Sequence, residues 1–337
     1  MIRRRALVAS PLVAFALAVW TAAMAPAHAQ QPAQSGTHEF PPRGTINLVV
    51  GFAAGGGADT AARLIAKKLG DNLGRSVVVQ NRAGAGGNIA HKMVADAEPD
   101  GATILLGSVG PLAIAPHLMK LPYDAERDLA PLTMGVNFPN VLVVYPGLGV
   151  KTLAEYIALA KAKPGQLNYA STGAGSASHL AGEMFNQRAG VEIVHVPYKG
   201  GSQAMVDLLA GRVTAYYSTP STAAPQVQAG KLVALATTGL ERPSFQSDLP
   251  TIAESGFPGF NATNWYAFVA PGKTPERILQ RWNEELVKAL SAPDVREQLL
   301  SHGLIPAPGT REELRNYIAS ESATWASVIK ERKITAE

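Results

Sequence analysis

A loop of small residues near the start of the chain has the composition to bind an anion through its backbone. Residues 51–59 read GFAAGGGAD and lie between an apolar run at 46–50 and a segment at 60–69 whose apolar residues recur at helical spacing. Glycines let a backbone approach a ligand closely, and a helix start presents unpaired N–H groups at the positive end of its dipole. The pattern predicts a strand, a glycine loop and a helix that could hold an anion without a basic side chain.

The loop does not match the two common phosphate motifs. Gly51 and Gly56 have the spacing of a P-loop, but Gly57 and Ala58 stand where that motif needs Lys and Ser or Thr. The dinucleotide pattern G-x-G-x-x-G does not fit either. A smaller anion such as a carboxylate remains, and so does a plain tight turn in which Asp59 is the N-cap.

A second loop, STGAGSASH at residues 171–179, repeats this design. It follows a predicted strand at 166–170 and precedes a predicted helix at 180–189, and it adds hydroxyl groups and the imidazole of His179. Two such loops in successive α/β units could face each other across a cleft. Together they would bind an anion better than either loop alone.

The elements around these loops predict an α/β fold with two lobes. Strands at 46–50, 76–79 and 102–106 alternate with helices at 60–69 and 89–97, which indicates a parallel sheet with its ligand site at the carboxyl ends of the strands. Ser108 lies at such an end. We place a crossover at residues 145–147 and assign 43–144 with 256–337 to the first lobe and 145–255 to the second.

The N-terminal segment predicts export. Arg3 to Arg5 precede an apolar run at 6–19 and the sequence APAHA at 25–29, which together resemble a cleavable secretory signal peptide ending at Ala29. The Sec and twin-arginine routes both stay open. Residues 30–42 are polar and predict a flexible mature N-terminus.

Composition excludes several classes of function. Three of the thirty basic residues lie in the predicted signal, so the rest of the chain carries 27 basic against 26 acidic residues and no basic surface for nucleic acid is indicated. The chain has no cysteine, which excludes disulfides, thiolate metal sites and a lipoprotein anchor. No cofactor is expected.

Enzyme chemistry is the competing hypothesis for the second loop. Ser176 with His179 or His195 could serve a secreted hydrolase, but the sequence around Ser176 is not G-x-S-x-G. His179, Glu183 and His195 could be metal ligands, yet no H-E-x-x-H pattern or close third ligand is present. Both alternatives are less favoured than a binding protein, and we predict that the chain is not an enzyme.

The ordered motifs resemble those of the Bug family, the TctC-like substrate-binding proteins of tripartite tricarboxylate transporters. The resemblance rests on LVVGFAAGGGAD at 48–59, VVQNRAGAGGN at 78–88, STGAGS at 171–176 with His179, HVPYKG at 195–200, and PTIAESG at 250–256 with Trp265. It covers nearly all of the chain after the predicted signal. It implies a monomeric periplasmic receptor with a type II-like fold that closes on a small carboxylate for transporter membrane subunits, or a ligand-dependent partner of a sensor kinase.

The resemblance also implies which residues bind the ligand, chiefly through backbone amides and ordered water. The resemblance implies Phe52, Ala53, Ala54, Gly55 and Gly56 of the first loop and Thr172, Gly173, Ala174, Gly175 and Ser176 of the second. Residues beside these loops or near the predicted cleft complete the set of candidates: Asp59, Ser108, His179, Tyr198, Lys199 and Ser218.

One segment departs from the family pattern. Thr214 and Ser218 stand where the family often has acidic residues. A ligand amine would then lack its counter-ion if Ser218 faces the cleft. This departure favours plain carboxylates or aromatic acids over amino acids.

Overall fold

The computed structural model describes Phe40 and residues 43–335. The predicted signal peptide and its cleavage site lie outside the described residues, as does most of the predicted flexible segment at 30–42. Phe40 itself packs edge-on against Trp282, with ring centroids 5.2 Å apart.

The described residues form an α/β fold with two mixed sheets flanked by helices. The strands are β1 Ile46–Val50, β2 Val77–Asn81, β3 Thr103–Ser108, β4 Leu129–Pro139, β5 Val141–Val144, β6 Leu167–Ser171, β7 Ile193–Pro197, β8 Ala215–Ser218, β9 Val233–Thr237, β10 Thr263–Pro271 and β11 Ile305–Pro306. The helices are α1 Gly57–Leu73, α2 Asn88–Ala95, α3 Leu153–Ala162, α4 Ala177–Ala189, α5 Gly201–Leu209, α6 Pro220–Gln228, α7 Glu276–Ser291, α8 Pro293–Ser301 and α9 Arg311–Arg332.

The first sheet has the strand order β11-β4-β10-β3-β1-β2. Strands β1, β2 and β3 run parallel, as predicted, and β10 joins them antiparallel to β3. The buried faces are nearly continuous runs of branched apolar residues, which is typical of strands covered on both sides. Leu48, Ile65, Phe268 and Trp282 belong to one core between this sheet and helices α1 and α7.

The second sheet has the order β7-β6-β8-β5-β9. Strands β6, β7 and β8 are parallel, and β5 is antiparallel to both β8 and β9. The parallel strands again direct their carboxyl ends to one edge, where the loop after β6 leads into α4. We call these two sheets with their helices the first and second lobes.

The chain enters the second lobe four residues earlier than expected. We predicted a crossover at 145–147, but β5 pairs only within the second sheet, so Val141–Val144 belongs to the second lobe. The apolar run 141–144 follows β4 almost directly, and one residue, Asn140, separates the two strands. The sequence signal for a break, Tyr145-Pro146-Gly147, marks the end of β5 instead.

Most helix boundaries match the predictions, with two instructive shifts. Helix α1 begins at Gly57 with Gly56 as its N-cap, so Asp59 lies in the first turn and the alternative in which Asp59 is the N-cap is wrong. Helix α6 begins at Pro220, and sequence patterning alone places its start at Ala223; proline is well suited to the first helical position. Capping boxes are formed by Thr152 with Glu155 at the start of α3 and by Thr310 with Glu313 at the start of α9. Among the described residues, no helix is long and apolar enough to cross a membrane.

Candidate functional site

A cavity lies where the two lobes meet, at the ends of β1, β3, β6 and β8. Seventeen residues line it: Phe52, Gly56, Gly57, Ala58, Ser108, Val109, Gly110, Asn140, Thr172, Ser176, Ala177, Ser178, Gly201, Tyr216, Thr219, Asn264 and Tyr266. The lobes lie close together, and the volume open to water-sized molecules is about 20 Å³. One buried water needs about 10–15 Å³, so a larger ligand must enter while the lobes are further apart.

The first-lobe side of the cavity is the start of α1. No side chain caps this helix, and its N-cap is Gly56 in extended geometry. The N–H groups of the first turn have no partner within a helix, and Gly57 and Ala58 both line the cavity. The positive end of this helix therefore faces the cavity without a side chain in between.

The carboxylate of Asp59 holds the glycine loop in place from behind. It accepts hydrogen bonds from the Gly55 N–H at 3.0 Å, from Asn81 Nδ2 at 3.1 Å and from Arg63 Nε at 2.9 Å. Burial alone would raise the pKa of Asp59, but these hydrogen bonds outweigh it and hold the pKa below its usual value. The side chain thus stays ionised and supports the loop.

The second-lobe side is the start of α4, where Ser176 is the N-cap. Its hydroxyl donates to Gly173 O at 2.6 Å and accepts from the His179 N–H at 3.4 Å. Ser178 Oγ accepts from the Thr172 N–H at 3.0 Å. The first-turn N–H groups of Ala177 and Ser178 have no acceptor within the helix, and both residues line the cavity.

Two stacked histidines support this loop from inside the second lobe. The rings of His179 and His195 lie 4.1 Å apart between centroids. His179 Nδ1 accepts from the Gly175 N–H at 3.1 Å, and Ser171 Oγ contacts His195 Nε2 at 2.6 Å while it accepts from the Gly173 N–H at 3.0 Å. His179 Nδ1 accepts at its contact, which requires this ring to be neutral.

The pKa values of both rings agree with this hydrogen bonding. Burial lowers the pKa of His179 to about 4. Burial and the neighbouring His179 lower the pKa of His195 to about 3. Both imidazoles are therefore neutral at pH 7, and the loop keeps its bonds.

Glycines bring the two lobes into backbone contact around the cavity. A methyl group added at Gly57 would lie 2.6 Å from Thr219 Oγ1, and one added at Gly173 would lie 2.7 Å from the Gly86 nitrogen. Similar approaches occur between Gly110 and Gly175 and between Gly200 and Ala53. The Ala53 N–H also donates to Lys199 O across the cleft at 3.3 Å. We call these contacts the glycine seam.

Five of the sixteen candidate residues line the cavity, and the others surround it. The five are Phe52, Gly56, Ser108, Thr172 and Ser176. Those outside the lining hold loops or lie in the seam: Ala53, Ala54, Gly55, Asp59, Gly173, Ala174, Gly175, His179, Tyr198, Lys199 and Ser218. Tyr198 donates its hydroxyl hydrogen to Asp207, and Ser218 is fully buried with its Oγ 2.7 Å from Thr222 Oγ1.

Sequence reasoning missed several lining residues on the second sheet and at the crossovers. Tyr216, Thr219, Tyr266, Asn140 and Asn264 line the cavity but carry no motif. One signal was available for the asparagines, because each is a polar residue beside a long apolar strand. Both are buried, and Asn264 Nδ2 donates to Asn140 Oδ1 at 3.3 Å.

The geometry gives no support to a serine nucleophile or a metal site. The hydroxyl of Ser176 is engaged as a helix cap, and no charged side chain is among the seventeen lining residues. In the described part of the chain, no group of three or more His, Cys, Asp or Glu side chains could hold a metal ion.

The family comparison decides what kind of protein has this cavity. Residues 61–334 match the model of the tripartite tricarboxylate transporter family receptor, TctC. The chain belongs to this receptor family. The receptor is also 39% identical to protein BugT of Bordetella pertussis over 292 residues, which covers 86% of this chain and 90% of BugT. These matches confirm the predicted Bug and TctC-like identity.

Solved structures confirm the two-lobed fold of a periplasmic binding protein. A Rhodopseudomonas palustris protein with adipate is 35% identical with a TM-score of 0.85, covering 88% of the receptor and 99% of that chain. The periplasmic binding protein BugD is 33% identical with a TM-score of 0.84, covering 87% and 99%. MatC from R. palustris with bound malate is 32% identical with a TM-score of 0.82, covering 86% and 99%. The receptor is therefore a solute-binding protein of this family, and such proteins are not enzymes.

Proposed function

We propose that the receptor captures a small carboxylate between its lobes in the periplasm and presents it to the membrane subunits of a tripartite tricarboxylate-type transporter. The observation that carries this proposal is the meeting of two helix starts, α1 and α4, at one cavity that no charged side chain lines. Helix starts supply several N–H donors and a positive dipole end, so they favour a negative group. Both belong to loops whose positions are fixed by buried side chains.

In this proposal both lobes contribute hydrogen-bond donors to the carboxylate. Gly57 and Ala58 donate from the first lobe and Ala177 and Ser178 from the second, while Ser108 and Thr172 offer hydroxyl groups nearby. Bonds from N–H groups to an ionised carboxylate are stronger than bonds between neutral groups. Phe52 and the two tyrosines of the lining cover the carbon skeleton of the ligand.

Lobe closure follows from contacts that need both lobes. The glycine seam and the bond from Ala53 to Lys199 exist only when the lobes meet. A ligand that touches α1 and α4 together therefore shifts the population toward this closed form. We expect the membrane subunits to recognise the closed form.

The relatives support a carboxylate as the ligand class. The neighbours solved with adipate and malate are both more than 30% identical to the receptor over most of its length. Among the seventeen lining residues none is acidic, so a ligand amine would find no counter-ion there. Plain or hydroxylated acids fit this lining better than amino acids do.

A thermal-shift screen tests the proposal. The receptor, purified after export with its own N-terminal segment, is screened against mono-, di- and tricarboxylates, aromatic acids and acidic amino acids. A ligand that binds only the folded state raises the melting temperature. We expect one class of acid to raise it, and we expect Gly56→Val to reduce that shift because the new side chain covers the start of α1.

The control variant is Gly74→Ala, since Gly74 ends α1 far from the cavity with open space around it. Because Gly74 has a positive φ, alanine at this position should lower the melting temperature of the receptor without ligand. The rise in melting temperature that the ligand causes should persist. Absence of any shift with every acid would contradict the proposal. A sensor-kinase partner would be favoured if ligand binds but loss of the membrane subunits leaves uptake unchanged.

Export is tested separately. We propose that the mature receptor begins at Gln30. N-terminal sequencing of the periplasmic protein should read from that residue, and retention of residues 1–29 would contradict the proposal.

A further inference from the structure

Three buried polar atoms without partners collect at the inter-lobe cavity. They are Ser108 Oγ, Asn140 Nδ2 and Asn264 Oδ1. All three residues line the cavity, and each is less than a tenth exposed. A buried polar atom left unpaired destabilises a protein, so these three atoms are candidates for hydrogen bonds to a ligand.

The two asparagines form a pair that is held in place by the backbone. Asn140 lies between β4 and β5, and its N–H donates to Thr238 Oγ1 at 2.9 Å while its carbonyl accepts from the Thr238 N–H at 2.9 Å. Asn264 lies at the start of β10, opposite Phe138 in β4. Both backbones are therefore fixed in the segments that connect the lobes, and only the side-chain amides are left for the cavity.

The pair leaves one donor and one acceptor whichever way the amides are oriented. As the structure has them, Asn264 Nδ2 donates to Asn140 Oδ1 at 3.3 Å, which leaves the Asn140 NH₂ group and the Asn264 oxygen. If both amides were flipped, the bond would run the other way and leave the Asn140 oxygen and the Asn264 NH₂ group. In each case the cavity meets one unbonded NH₂ group, with its N–H donors, next to one free oxygen acceptor.

A carboxylate cannot satisfy this pair, because an ionised carboxylate only accepts hydrogen bonds. A hydroxyl or a carboxamide both donates and accepts. We propose that the Asn140–Asn264 pair is a specificity-determining site that recognises a neutral hydroxyl or carboxamide group on the ligand. The inference rests on the proposed carboxylate function and assigns the second polar group of the same ligand.

The lining supports a neutral second group. The two helix starts are already assigned to the first carboxylate, and the seventeen lining residues include no basic side chain that could pair with a second one. The hydroxyl of Ser108 is the third unpaired atom and can complete the bonding of a hydroxyl or amide. The ligand is then an acid with a carboxylate at the helix starts and an uncharged polar group toward the asparagines.

Matched ligands test this inference by isothermal titration on the exported receptor. The sets are propionate with lactate, which adds a hydroxyl, and succinate with malate and succinamate, which add a hydroxyl or exchange one carboxylate for an amide. We expect at least one substituted acid to bind about tenfold tighter than its parent, which corresponds to about 1.4 kcal/mol. The comparison of malate with succinamate separates hydroxyl from amide recognition.

The key variant replaces both asparagines, Asn140→Leu with Asn264→Leu. Exchange of both partners for apolar groups of similar shape is nearly neutral for folding, so the variant should fold and lose the preference while it still binds the parent acid. If that variant is unstable, Asn140→Ala with Asn264→Ala, which again removes both partners and adds no bulk, gives the same readout. Val206→Ala, which changes an exposed apolar residue of α5 outside the lining, is the control and should keep the preference.

Each outcome decides a different claim. If no acid binds the unaltered receptor, the proposed function fails and this inference fails with it. If acids bind but parents and substituted acids bind equally, the inference alone is overturned. If a preference exists and survives in the leucine variants, another residue is responsible and the assignment to the pair is wrong.

Discussion

At the scale of single residues, the buried side chains around this site act mainly by holding the backbone of the loops in place. Asp59 and His179 are both buried, and both accept a hydrogen bond from a glycine N–H of a loop that flanks the cavity. Neither is in the lining. Their contribution to binding is to hold donors in place before the ligand arrives, which lowers the entropy lost on binding.

The loss of the Asp59 carboxylate should loosen the first loop. Asp59→Ala leaves the Gly55 N–H without its acceptor and removes one of the two acceptors of Asn81 Nδ2, which also donates to Phe52 O, so we expect the free energy of unfolding to fall by about 1–3 kcal/mol. Ligand affinity should fall as well, because the loop amides are no longer fixed. Urea denaturation and titration with the acid identified above measure the two effects, and unchanged affinity would contradict the supporting role.

Stability should decrease as the pH falls below about 6.5, the usual pKa of histidine. Burial lowers the pKa of His91 and of His179 to about 4, so the unfolded chain binds protons that the native state refuses. Between the unfolded and folded pKa values, each such group lowers the free energy of unfolding by up to about 1.4 kcal/mol per pH unit. Above about pH 7 both groups are neutral in both states and this dependence disappears.

Urea denaturation at pH 7 and pH 5 measures this effect. His179→Asn cannot take up the proton and keeps an acceptor for the Gly175 N–H, so it should show a smaller loss between the two pH values. An equal loss in the variant would show that other groups cause the pH dependence.

The residues that could be predicted were those within motifs. The two glycine loops could be predicted as binding loops, because few other roles than a close approach of the backbone explain such a composition. Asn140 and Asn264 were not, since a lone polar residue at a strand end has many uses, and only the packing of the two lobes brings this pair to the cavity.

At the scale of elements, α4 and α9 begin with the same kind of cap in different surroundings. Ser176 caps α4 beside the cavity, and Thr310 caps α9 through a capping box far from the lining. Loss of a helix cap reduces stability by about 1 kcal/mol. The two helices therefore offer a matched comparison of a cap at the site with a cap elsewhere.

We expect Ser176→Ala and Thr310→Ala to lower the melting temperature by similar amounts, while only Ser176→Ala weakens ligand binding. The reason is that Ser176 also bonds to Gly173 O and so fixes the second loop. Thermal denaturation and titration give the two readings. Equal ligand affinity in both variants would mean that the loop does not depend on its cap.

Element order was predictable from periodicity, and element boundaries were less so. The strands around the two loops were placed within a few residues, because glycine and apolar patterns mark both ends. The pairing of β5 was not predictable, since the apolar sequence of a buried strand does not show which of the two sheets it joins. The run of small residues from Ala53 to Ala58 also hid the start of α1, because small residues fit both a turn and a first helical turn.

At the scale of the whole molecule, closure should depend on the absence of side chains along the glycine seam. Gly57 is the cleanest position to test, since its backbone is already helical and only the Thr219 side chain of the other lobe opposes a methyl group. Gly57→Ala should therefore fold with nearly unchanged stability. It should weaken ligand binding by about tenfold, equivalent to about 1.4 kcal/mol.

The partner change Thr219→Gly should restore affinity to the Gly57→Ala variant. It removes the side chain that the new methyl group would meet, so the two changes should not be additive. Titration of the four proteins gives the coupling energy. Additive losses would show that Gly57 acts within its own lobe and not across the cleft.

The glycine seam also implies how the receptor can discriminate between ligands by their size. At several of these contacts, as between Gly173 and Gly86 and between Ala53 and Lys199, backbone atoms of the two lobes meet directly, so a rotamer change cannot fill the gap there. A solute that is slightly too large prevents the contacts of Gly57 with Thr219 and of Ala53 with Lys199, so the lobes do not close completely. An oversized acid could then bind to the receptor without producing the closed form that a membrane partner accepts.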